Sequence, residues 1–155
     1  MMKSLPGTIV VACLLLSLPV FAGPDSAAAP ASADSTNSRY DPQNLFAKII
    51  RGELPADKVY EDAHVLAFFA LDQKAPGHVL VISKTSKARH IMEISPQDLV
   101  RATLVAQRIA KAERSALRAD GVMIQQNNGA AAGQTMFHLH MPVVPYRDGK
   151  PPSFA

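Results

Sequence analysis

The run from Met136 to Val144, "MFHLHMPVV", limits the possible folds more than any other segment. Its side chains alternate with a period of two, the period of a β-strand. Met136, His138, His140, Pro142 and Val144 fall on one face, and Phe137, Leu139, Met141 and Val143 on the other. The second set is wholly apolar and should pack against a core. The first presents two imidazoles about 7 Å apart at their Cα atoms. Titratable rings in the middle of a sheet give up hydrogen bonds to water, so they need partners. The pattern therefore calls for a sheet with one covered face and one face that something else occupies.

The remaining elements fit around such a sheet. Lys58 to Glu61 and Val65 to Leu71 are rich in Val, Phe and Tyr and read as paired strands with a turn at Asp62-Ala63. Ala75-Pro76-Gly77 is a turn, His78 to Ile82 a buried strand, and Val122 to Gln126 a further strand. Asp41-Pro42 opens a short helix, with Asp41 as cap, Leu45, Phe46, Ile49 and Ile50 on one face, and Gly52 at the end. Ser86 to Met92 reads as a second short helix. Ser95-Pro96-Gln97-Asp98 starts the clearest element: a capping serine, a proline in the first position and an acid in the third. Leu99, Ala102, Val105, Ala106, Ile109, Ala112 and Ala116 then recur at helical spacing, and Gly121 stops the run. Five strands, one long helix and no βαβ rhythm predict an α+β domain with a mainly antiparallel sheet.

The chain has 155 residues, enough for one compact domain. Residues 1–22 read as an export signal. Lys3 is its positive end, Ile9 to Val20 its apolar run, and Val20-Phe21-Ala22 its cleavage site. The apolar run is too short and too proline-interrupted (Pro6, Pro19) for a membrane span. Val10-Val11-Ala12-Cys13 resembles a lipoprotein box, but the apolar run continues past Cys13, where such a box would close it. Export to the periplasm or outside the cell is the expectation, with no stable membrane insertion once the signal is removed. Residues 23–39 are rich in Ala, Ser and Pro without apolar periodicity and read as a disordered linker. The folded domain is expected over residues 40–155. Cys13 is the only cysteine, so the exported domain would have neither disulfide nor thiol chemistry. Basic residues number 16 against 13 acidic, and Lys3 belongs to the signal. Lys84, Lys87 and Arg89 are scattered in one loop and form no block, which speaks against nucleic acid as a partner.

On spacing alone, three roles for His138 and His140 remain open. A His-x-His pair on a strand makes half of a metal site. Imidazole also attacks phosphorus well near neutral pH. Two histidines satisfied by backbone and water are the third possibility. The preceding loop, "NNGAAAGQT", bears on the choice. Its small residues let a ligand approach the backbone, and Gly129 and Gly133 permit unusual dihedrals. Asn127, Gln134 and Thr135 add neutral donors. A loop rich in N–H groups and free of carboxylates suits an anion better than a cation.

These segments resemble the histidine triad (HIT) family, in its Hint-like branch. The similarity covers "DPQNLFAKIIRGELPADKVYED", "LAFFALDQKAPGHVLVISK" and "NNGAAAGQTMFHLHMPVVP", from Asp41 to about Gly149. The family signature is His-φ-His-φ-His-φ-φ, where φ is apolar. The resemblance implies a HIT-like fold and a homodimer whose two sheets join. It also implies transfer or hydrolysis at the α-phosphate of a purine nucleotide or nucleoside phosphoramidate. Carried over by position, His140 is the nucleophile that forms a nucleotidyl-histidine, and His138 supports it. His78 is the further histidine near the pocket, and Asn127, Gln134 and Thr135 fall where the family contacts phosphate. The family's chemistry requires no metal or other cofactor.

Two positions depart from the family pattern. Its third histidine falls at Pro142, which has neither a side-chain donor nor a backbone N–H. Its ribose-binding acid falls at Ala70, with Asp72 two residues on as the candidate replacement. A weakened nucleotidyl hydrolase and a non-catalytic nucleotide-binding protein both fit these departures. A zinc site built from His138 and His140 with His78 or His90 is the third hypothesis, disfavoured by the lack of cysteine and of a nearby carboxylate.

Overall fold

The structure, a computed structural model, describes residues 39–71 and 76–149. The expected export signal, all but the last residue of the expected linker, and Asp72 lie outside the described residues. In chain order the elements are α1 (Leu45–Ile50), β1 (Lys58–Glu61), β2 (Val65–Phe69), β3 (Val79–Ser83), α2 (Pro96–Ala116), β4 (Gly121–Ile124) and β5 (His140–Tyr146), with a short 3-10 turn at Ala130–Ala132 before β5. The five strands form one sheet in the order β1-β2-β3-β5-β4, and every neighbouring pair is antiparallel. This is the expected α+β arrangement, with one long helix.

The two faces of the sheet have different covers. Val65, Ala67, Val79 and Val81 join Leu139, Met141 and Val143 in a core closed by Ala102, Val105, Ala106 and Ile109 of α2. Each fully buried aliphatic side chain there stabilises by roughly 1.5–3 kcal/mol. Leu66, Phe68 and Ile82 face the other way and meet Phe46 and Ile49 of α1. Strand β2 is thus apolar along its length because both of its faces are buried. Helix α1 has only six residues and could not persist alone in water. Packing of Phe46 and Ile49 holds it over the sheet face that carries His140.

Local chemistry accounts for the boundaries, including those that differ from expectation. Ser95 caps α2 by accepting from the Asp98 N–H at 3.1 Å. Helix α1 begins later than the sequence suggests. Asp41 closes a preceding turn by accepting from the Gln43 N–H, and Asn44 is the cap, accepting from the Ala47 N–H at 2.9 Å. Residues 86–92 are not helical. Their N–H groups go to side chains instead: Ser86 to the Ser83 hydroxyl, Ala88 to the Ser86 hydroxyl, Arg89 to Glu93, Ile91 to Asn128. Such bonds offer the backbone an alternative to the helical ladder. On α2 the alanines at 112 and 116 are exposed, and Glu113 takes the core position one turn after Ile109. Strand β2 stops at Phe69 rather than Leu71. Strand β5 begins at His140 rather than Met136, because the chain before it is tied to the 86–90 loop. The Leu139 N–H donates to the Ala88 carbonyl at 2.8 Å.

Pro142 explains where β4 ends. Its carbonyl accepts from the Gln125 N–H at 3.1 Å. In an antiparallel pair the same residue would return an N–H to its partner's carbonyl, and proline has none. The ladder between β4 and β5 therefore closes at Ile124 opposite Val143, where an unbroken strand would continue through Gln125.

Candidate active site

A cavity of about 470 Å³ opens on the α1 side of the sheet. Its floor is His140 and Pro142 from β5, Leu80 from β3, and Phe68 with Ala70 from β2 and its end. Leu45 and Phe46 of α1 form one wall; Gln125, Asn127, Gly133, Thr135 and Met136 form the opposite one. His78, Ala70, His140, Asn127 and Thr135 thus meet in one cavity. Among the described residues, its lining contains no Asp, Glu, Lys or Arg.

His140 is oriented by its own strand. Its Nδ1 lies 2.8 Å from the main-chain oxygen of His138. A carbonyl only accepts, so Nδ1 carries the proton and Nε2 keeps its lone pair. Burial lowers the pKa of the ring, and the bond to the His138 carbonyl opposes this in part. Phe46 packs against the ring in a T-shaped pair, with centroids 5.3 Å apart. The result is a neutral imidazole with one nucleophilic nitrogen at the cavity floor.

Of the three roles its spacing left open, His138 takes the contacts of the third, a ring satisfied within the protein. It precedes β5, and it is buried to 1% exposure outside the cavity lining. Its Nε2 lies 3.2 Å from the Ser83 carbonyl, and its Nδ1 lies 2.8 Å from the Tyr40 hydroxyl. Burial pushes its pKa down to about 4; the Ser83 bond raises it and His140 lowers it further, both by less. Both ring nitrogens are engaged, so neither is open to a metal. Nor do the described residues contain a group of three His, Cys, Asp or Glu placed to hold one. His90 lies against Glu93 at 3.3 Å.

The loop residues divide into two kinds. Asn127 lines the cavity, held by the Gln125 amide at 2.6 Å and by its own bond to the Gly133 carbonyl at 3.3 Å. Gln134 is 4% exposed and faces inward. Its oxygen accepts from the Gly129 N–H at 2.8 Å, and its nitrogen donates to the carbonyls of Arg89 and Met136. It fixes the loop's shape, and its side chain is not part of the cavity lining. Gly129 and Gly133 take φ values of +88° and +79°, which a side chain would strain. Tyr40, Phe46, Ser83 and Gln125 were not singled out from the sequence. Of these, Phe46 left a signal, on the apolar face of the first helix.

Comparison with known proteins gives this arrangement its relatives. The HIT domain family profile matches residues 51–149. The protein "hit" of Bacillus subtilis is 41% identical over 110 residues, covering 71% of this chain and 74% of that protein. Adenosine 5'-monophosphoramidase of Saccharomyces cerevisiae is 34% identical over 116 residues, covering 75% of this chain and 70% of that enzyme. The crystal structure of a Hit-like protein involved in cell-cycle regulation from Bartonella henselae superposes with a TM-score of 0.71 at 41% identity, covering 74% of this chain and 83% of that one. Fold and sequence agree: the chain belongs to the HIT domain family.

Proposed function

We propose that the protein binds a purine nucleotide or nucleoside phosphoramidate and hydrolyses it slowly. One observation carries this reading: Nε2 of His140 keeps its lone pair in a cavity whose polar lining, among the described residues, consists of neutral donors and acceptors and a second histidine. In the first step Nε2 attacks the α-phosphorus. A phosphorus–histidine bond forms, and the bond to the leaving amine breaks. Asn127, Thr135 and the backbone of the loop hold the nonbridging oxygens. Position 142 supplies no proton to the departing amine, which takes it from solvent. Water then cleaves the phosphorus–nitrogen bond, releasing a nucleoside monophosphate and free His140. The phosphoramidase activity named for the yeast relative supports the substrate class. Ala70 offers the ribose no side-chain acceptor, so sugar recognition is weak.

The same reading includes a homodimer and export. An exposed Val100 and Leu104 on α2, with exposed Ile124 on edge strand β4, supply apolar surface for a second copy. The composition of residues 1–22 supports export.

The test is a pair of variants assayed on a nucleoside phosphoramidate, with mass spectrometry for a nucleotidyl adduct. His140→Ala is expected to abolish turnover and adduct, while His138→Ala retains a measurable remainder. Equal loss in both variants would show that the roles within the pair are wrong. Binding of nucleotide without turnover or adduct in the parent would leave a non-catalytic binding protein.

A further inference from the structure

Tyr40 stands 98 residues before His138 in sequence and donates to it across the fold. Ser83's carbonyl can only accept, so Nε2 of His138 bears the proton. The remaining nitrogen, Nδ1, must then accept, and the Tyr40 hydroxyl is its donor at 2.8 Å. The Ser83 bond sets the tautomer of the neutral ring, and the Tyr40 bond to the other nitrogen fixes the ring's rotation. The same residue's main-chain oxygen receives the Nδ1–H of His140. Phe46 couples the rings a second time, forming a T-shaped pair with each at 5.9 Å and 5.3 Å between centroids. A turn of the His138 ring would disturb Phe46 and, through it, His140.

We propose that Tyr40 is a positioning residue: its hydroxyl locks the rotation of the His138 ring, already in its Nε2–H form, and thereby holds His140 with its Nε2 lone pair toward the cavity. The lock is a property of the folded chain; its effect on turnover rests on the hydrolase reading above. Tyr40 precedes α1, the first element of the described residues, so the segment leading into α1 is tied to the orientation of the nucleophile.

The experiment is Tyr40→Phe in the full chain, read by the ring nitrogen resonances of His138 and by kinetics. Phenylalanine keeps the ring that packs 5.6 Å from His138, so the fold is retained. The Nδ1 resonance of His138 is expected to move toward that of an unbonded imidazole nitrogen. With a phosphoramidate substrate, kcat is expected to fall about three- to tenfold, the worth of one hydrogen bond, while KM holds. Replacing tyrosine by the more acidic 3-fluorotyrosine should move the Nδ1 resonance in the opposite direction. Unchanged His138 resonances in both proteins would overturn the lock. Changed resonances with unchanged kcat would overturn the link to His140. A parent without turnover would defeat the hydrolase reading alone, since the resonances decide the lock without substrate.

Discussion

Replacing Glu113 by glutamine should change how stability depends on pH. Glu113 is 5% exposed on the core face of α2, and neither carboxylate oxygen has a hydrogen-bond partner. Burial pushes its pKa up to about 7, from 4.5 for an ordinary glutamate. Between those values the folded protein holds a proton that the unfolded chain releases. The resulting stabilisation is complete below about 4.5 and is lost as pH rises through about 7. The gap corresponds to about 3 kcal/mol at most. His138 acts in the opposite sense. Its contribution is present above the ordinary histidine value of 6.5 and is lost as pH falls through about 4. Glu113→Gln removes the carboxylate's effect and leaves that of His138, so the difference between parent and variant isolates Glu113. That difference is expected to shift in the variant's favour by roughly 2–3 kcal/mol between mildly acid and mildly alkaline pH. Urea unfolding of both proteins from about pH 4.5 to about pH 8.5 measures it. A difference that stays constant across the range would refute the reasoning, because it would mean that the carboxylate is solvated or paired.

Pro142→His restores a donor at the cavity floor and a backbone N–H opposite Gln125. Turnover of a phosphoramidate is expected to rise about ten- to a thousandfold; a folded variant that binds nucleotide but is no faster would count against latent triad chemistry. Ser95→Ala removes the α2 cap and is expected to cost about 1 kcal/mol in urea unfolding, with nucleotide affinity unchanged.

What the sequence revealed and what it concealed divide along the range of the interactions. Ser95-Pro96 starts α2 through contacts within four residues, so the start of that helix could be read directly. The alternation of Leu139, Met141 and Val143 survived, because those side chains do enter the α2 core. Ala112 and Ala116 look apolar by composition, whereas the helical stripe is set by angle, which brings Glu113 into the core. Residues 86–92 resisted reading because side chains as distant as Asn128 take their N–H groups. At the site, His140, His78, Asn127, Thr135 and Ala70 were legible and do come together. Gln134 and His138 were placed correctly in sequence, but their polar atoms turn to the protein itself. Tyr40 gave no sign, since nothing local marks a partner 98 residues away.

The neutral lining of the cavity has a kinetic consequence. A site that carries fixed charge draws an anion from a distance, and dissolved ions weaken that pull over a range of about 8–10 Å. Without Lys or Arg among its described lining residues, this cavity exerts little pull for ions to weaken. Capture then depends on diffusion and on the fit of the ligand once it arrives. Any salt dependence of encounter is then set by charges outside this lining.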